Sequence, residues 1–137
     1  MRIPRMTLLA AILIIPALMI HGCALTQTAG EHLLALKQNV KGSYYLKNEK
    51  YSEGIEAFNK ELEVNPDNAE THYYLGRFQL AMDNFNTALN HLKKAVQLSP
   101  DEAEYHFWLG VAYGIKKEAE QERQCYLRAL AIDKNHI

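Results

Sequence analysis

Two cysteines, four prolines and seven glycines are all that a chain of 137 residues carries of these types. Two cysteines allow one bridge at most, so no disulfide framework holds this fold and packing must. The glycines are spread out and form no phosphate-cradling loop. Charge of one sign is also missing: 15 Lys and Arg stand against 16 Asp and Glu. Nucleic-acid binding needs a clustered basic field, which this balance does not supply. Acidic residues are absent before Glu31, where the only charged side chains are Arg2 and Arg5. An apolar stretch from Leu8 to Ile20 follows them. A basic start and an apolar segment of this length are the layout of a secretory signal rather than of a folded helix.

What is present is periodic. Asn65-Pro66-Asp67 returns as Ser99-Pro100-Asp101, 34 residues on, and Asp133-Lys134-Asn135 follows after the same interval. Gly42, Gly76 and Gly110 keep the period, as do Leu75 and Leu109, Tyr51 and Phe85, and the series Phe58, Leu92 and Tyr126. Ala95 returns as Ala129, and Leu62 as Val96 and Leu130. Self-similarity at a fixed period is the mark of a repeat architecture. Within each unit apolar residues recur at three- and four-residue spacing, which predicts two amphipathic helices per repeat. The expected helices are Glu31 to Lys47, Tyr51 to Val64, Ala69 to Met82, Phe85 to Leu98, Ala103 to Lys116 and Glu118 to Ile132. Turns are expected at Asn48-Glu49-Lys50 and Asp83-Asn84, and Pro66 and Pro100 stand just beyond helix ends, where proline costs no internal hydrogen bond.

This pattern resembles the tetratricopeptide repeat from about Ala35 to His136, the unit from Ala69 to Glu102 matching best. The resemblance implies an all-α fold of three tandem helix-turn-helix repeats, a short right-handed α-solenoid. Its small columns, Gly42, Gly76 and Gly110 on first helices and Ala88, Ala95 and Ala129 on second helices, let backbones approach. The outer units depart from the pattern. Lys41 stands in the leucine column and Glu61 in the small column of the first; Ala119 replaces the aromatic and Glu122 the small residue of the third.

The segment Leu18-Met19-Ile20-His21-Gly22-Cys23-Ala24 resembles the lipobox of bacterial lipoproteins, in which an invariant cysteine becomes the lipid-bearing first residue. The implied organisation is a signal peptide over residues 1–22, lipidated Cys23 and a tether over 23–30, and repeats over 31–68, 69–102 and 103–137. His21 departs from the lipobox, and Met6 to Leu25 approaches the roughly 20 apolar residues of a membrane span, so an uncleaved anchor is the alternative. Arg2 and Arg5 place the remainder outside the cytoplasm in both cases. Without them the mature chain holds 13 basic against 16 acidic residues. Ala24 after the cysteine implies the outer membrane, facing the periplasm.

Candidates for chemistry are scattered. His72 and His106 share a column, but two histidines without neighbouring carboxylates or thiolates are no metal-ligand set, and the column is a packing one in the family. His91 and Cys125 share another, on the second helices, with no third group to make a nucleophile. Neither catalysis, metal nor cofactor is expected. Cys125 remains a candidate for an intermolecular disulfide.

Binding is expected instead, because first helices line the concave face of such stacks. By resemblance the groove columns are Asn39, Ser43, Leu46 and Lys47, then Tyr73, Arg77 and Leu80, then Phe107, Val111 and Ile115. Some family members clamp a peptide carboxylate with Lys and Asn; here the aligned columns carry Asn39, Ser43, Glu104 and Trp108, which do not support a clamp. The expected ligand is an extended or helical apolar segment of a protein partner. After the third unit only Asn135-His136-Ile137 follow, so Leu109, Tyr113, Tyr126 and Leu130 are expected to be incompletely covered and to favour self-association or docking.

Overall fold

The computed structural model describes residues 33–34 and 36–134, and the signal, the lipobox cysteine, the tether and the last three residues lie outside them. The described residues from Gln38 on form one compact unit. All regular structure among the described residues is helical. Helix α1 covers 36–47, followed by α2 (Tyr51–Val64), α3 (Ala69–Ala81), α4 (Phe85–Leu98), α5 (Ala103–Ile115) and α6 (Ala119–Lys134). Each expected helix is present over the described residues, and the expected start of the first at Glu31 lies outside them. The first helices of repeats two and three stop one residue early, at Ala81 and Ile115, and α6 runs from Ala119 to Lys134 instead of Glu118 to Ile132.

The early stops have a shared cause. Glu49, Asp83 and Lys117, each 34 residues from the next, adopt left-handed backbone with φ of 55°, 59° and 60°. The residue after each donates its N–H to a carbonyl five back: Lys50 to Tyr45 (3.0 Å), Asn84 to Gln79 (2.9 Å) and Glu118 to Tyr113 (3.0 Å). This is the helix-ending geometry that glycine usually serves, built here from non-glycine residues at all three turns. The turns between repeats use different means. Asn68 caps α3 by accepting the Thr71 N–H at 2.9 Å, and His72 Nε2 donates to the Pro66 carbonyl at 3.0 Å, as His106 Nε2 does to Pro100 at 2.8 Å. The shared histidine column is thus a tie between each first helix and the loop before it.

The core runs through the stack. Phe58, Leu75, Phe78, Ala88, Leu92, Ala95 and Ala112 are completely buried, with Phe58 set edge-on to Phe78 at 5.6 Å between centroids. The glycine column marks the tightest approaches. A Cβ at Gly76 would sit 2.6 Å from Leu92 Cγ, one at Gly110 would meet Tyr126 Cε1 at 2.6 Å, and one at Gly42 would run into the Tyr74 ring.

The departures of the outer repeats turn out to be paired. Lys41 donates to the carboxylate of Glu61, so the two irregular residues of repeat one occupy the places of Leu75 and Ala95 together. Glu61 also accepts from Gln38 and from the buried Thr71 hydroxyl, both at 3.3 Å. In repeat three, Glu122 replaces a small residue while Gly114 replaces the leucine found at Leu46 and Leu80. The two fit together, since a Cβ at Gly114 would come 2.7 Å from Glu122 Oε1.

Two outcomes follow. Gly76→Val should cost about 1–3 kcal/mol by overpacking against Leu92, measured by urea unfolding. Lys117→Gly should add up to about 1 kcal/mol by removing a left-handed non-glycine residue; an unchanged midpoint would mean that this turn is not strained.

Candidate functional site

The side chains expected in the groove fall into three groups. Asn39, Ser43, Lys47 and Ile115 are exposed, and Leu46, Arg77 and Val111 are half-buried. Tyr73 and Leu80 are buried and belong to the core. Phe107 is 47% exposed but lies 5.7 Å from the Tyr126 ring, lining a hollow against α6. Tyr73 and Leu80 are therefore corrected from ligand contacts to packing, and Phe107 from the groove to the last face of the stack. Ile115 lines a second hollow with Asp83, Asn84, Phe85, Asn86, Thr87 and Lys116, where the turns of repeats two and three meet.

Arg77 is the centre of what remains. Its guanidinium lies 4.2 Å from the Trp108 ring centroid and 5.4 Å from that of Tyr73. Arg77 Nη1 donates to the Tyr73 hydroxyl at 2.8 Å, and the Tyr73 hydroxyl donates to Glu104. Glu104 Oε1 is 3.8 Å from Nη1. Tyr73 stacks on Tyr105, 4.8 Å between centroids. Repeats two and three are thereby joined by a cation held between two aromatic faces, an arrangement in which Arg is favoured for its planar, weakly hydrated head. Burial pushes the Tyr73 and Tyr105 phenols up, so both stay neutral donors at any ordinary pH.

Carboxylates gather beside this centre. Glu70 is pushed up to about 7, first by burial and then by Glu102, Glu61 and Glu104. At the other end of the surface, the Tyr74 hydroxyl donates to Asn39 Oδ1 at 3.0 Å and lies 3.4 Å from Ser43 Oγ. The two residues aligned with a carboxylate clamp are engaged with a tyrosine, and a third, Glu104, carries the wrong charge for one.

His91 faces His72, Nδ1 to Nδ1 at 3.0 Å. Because the Pro66 carbonyl can only accept, His72 presents a proton at Nε2. Burial, and then His72, hold His91 below its ordinary value. Among the described residues no three His, Cys, Asp or Glu side chains are grouped to hold a metal ion. Cys125 is half-buried against the core, and burial pushes its thiol up, which disfavours the thiolate that disulfide exchange requires.

The expected association face also changes. Leu109 is buried and Tyr113 packs on the core beneath Lys93, 5.5 Å from its ring. Tyr126 and Leu130 do line an open hollow, of about 470 Å³, together with Ala103, Glu104, Phe107, Ala129 and Asp133.

Family models for the tetratricopeptide repeat match residues 38–68 and 103–136, 57–90, and 80–115, which leaves no gap between 38 and 136. No curated protein matches. Among solved structures, "MamA MSR-1 C2" is 24% identical with a TM-score of 0.64, covering 73% of this chain and 57% of its own. "MamA 41-end" from Desulfovibrio magneticus RS-1 is 21% identical with a TM-score of 0.65, covering 72% and 55%. The first TPR of Spaghetti (RPAP3), bound to the HSP90 peptide SRMEEVD, is 25% identical with a TM-score of 0.66, covering 74% and 80%. The chain thus spans a little over half the length of the MamA chains.

The electrostatics of Glu70 have a measurable sign. Its folded-state pKa, about 7, lies above the ordinary 4.5, so stability falls as pH rises through that window and the charge forms. Glu70→Gln should therefore stabilise the protein at pH 8, by up to about 1 kcal/mol once partial exposure is discounted. The gain should vanish by pH 4.5, which thermal melts across the range would check.

Proposed function

Since the chain belongs to the tetratricopeptide-repeat family, we propose that it is a non-catalytic adaptor that binds a segment of a partner protein along its first-helix surface. The observation that carries this reading is the surface around Arg77. It joins two repeats through Arg77 and Trp108, and Arg77, Val111 and Leu46 are each half-buried on first helices. Such concave faces are how stacked repeats bind.

The peptide-bound RPAP3 structure supports a peptide ligand as a class. An acidic segment like that one does not suit this chain, because Glu70 and Glu104 border the surface and like charges oppose its approach. An apolar segment, extended or helical, fits better.

The adaptor acts in the bacterial envelope. Cys23 carries lipid, residues 24 to about 30 tether the repeats to the membrane, and the repeats face the periplasm from the outer membrane. The lipobox-like run through Gly22-Cys23 and the basic start support this. An uncleaved signal anchor is the second reading, favoured by the apolar length of Met6 to Leu25.

Two measurements test these proposals. Arg77→Glu combined with Val111→Glu should abolish capture of crosslinked partners in cells while circular dichroism remains helical; undiminished capture would show that the first-helix surface is not the site. Cys23→Ser should release the protein from the membrane fraction, whereas a protein that stays bound is anchored by its uncleaved segment.

A further inference from the structure

The hollow at α6 is the vacant counterpart of an interface that exists inside the stack. Where repeat two meets repeat three, α5 packs on α3 and α4, and Tyr73, Leu92 and Ala95 are buried there. Shifting these positions by 34 residues gives Phe107, Tyr126 and Ala129, all lining the hollow. Leu130, counterpart of half-buried Val96, is 55% exposed. The last repeat therefore displays to solvent the surface on which the stack seats a first helix.

A first helix with the matching face is present at the opposite end. The residues by which α3 packs back on repeat one are Tyr74 and Phe78, both buried against Phe58; those of α5 are Trp108 and Ala112. Their counterparts on α1 are Val40 and Tyr44, which are 65% and 52% exposed.

We infer that α1 of a second copy docks in the α6 hollow, so that copies associate head to tail and continue the 34-residue register from one chain into the next. Each pairing follows from one already in the structure. Trp108 lies over Arg77, and the corresponding pair between copies is Val40 over Val111, both apolar. Phe78 meets Phe58 edge-on and lies 6.2 Å from Tyr45, and the corresponding set is Tyr44 against Tyr126 and Tyr113. Neither pairing buries an unmatched charge, which an interface core must avoid. The contact is heterologous, using different surfaces on the two copies, so it does not close on itself and builds open chains. It covers Val111 but leaves Arg77 itself free, so Arg77→Glu alone should weaken partner capture and leave head-to-tail association intact.

The test exploits the asymmetry. Full-length chains carrying two different epitope tags are crosslinked in the cell and resolved by mass. The native chain should give a ladder of dimer, trimer and higher species. Val40→Glu and Leu130→Glu, each expressed alone, place a charge in the apolar contact and should reduce the ladder about tenfold or more, with helicity unchanged. Co-expressed, they should restore the dimer carrying both tags and nothing larger, because each chain keeps one competent end. A native chain that yields only monomer overturns the inference. So does a dimer formed by either variant alone, which would mark a symmetric contact. Failure of the co-expressed pair to restore the dimer overturns it too, as do crosslinks from the hollow only to residues 1–32 or 135–137 of the same chain or only to another protein.

Discussion

Everything in this molecule rests on how closely a first helix approaches the second helix of its repeat. At Gly76 there is no space for even a methyl group between the backbone and Leu92, Gly110 is closed likewise by Tyr126, and Gly42 is closed by Tyr74 from the first helix of the next repeat. Close approach lets large side chains from three helices fill one core, as Tyr45, Phe58 and Phe78 do. Interiors at this density transmit a change of one side chain to its neighbours. That is why departures from the repeat pattern occur in pairs: a lysine beside a glutamate in repeat one, a glycine beside a glutamate in repeat three.

The same stacking sets the functional surface. A lone helical hairpin would expose Arg77, but the third repeat brings Trp108 over the guanidinium and Glu104 to the Tyr73 hydroxyl. The surface proposed for binding and the inter-repeat contact are consequently one structure, and a ligand seated there would meet a preorganised cation. Preorganisation reduces the ordering cost of binding. The carboxylates around it work in the opposite sense on stability, Glu70 being uncomfortable as an anion in its half-buried place.

The repeat period was legible because each repeat must solve the same packing problem, so the same residue sizes recur at the same spacing. Helix positions followed within one or two residues. The boundaries that differed, at Ala81 and Ile115, did so because left-handed Asp83 and Lys117 close each turn, and neither residue type announces that geometry as glycine would. The site was less legible. Tyr73 and Leu80 share a column with groove residues of other repeats, yet a neighbouring repeat buries them, and Phe107 in the column of Tyr73 is open because its neighbouring position is not filled within the stack. Column membership gives direction from the helix axis; burial depends on what stands opposite.

The sequence by itself determined the family, and the helices of the described residues with their register, since these depend on spacing and residue type along the chain. Only the tertiary structure decided which columns stay open, which departures compensate one another, and that His91 faces His72. Those are relations between residues 8 to 35 positions apart, and they exist only once helices have packed, because distance across a helix pair is set by the size of the side chains between them and not by their separation along the chain.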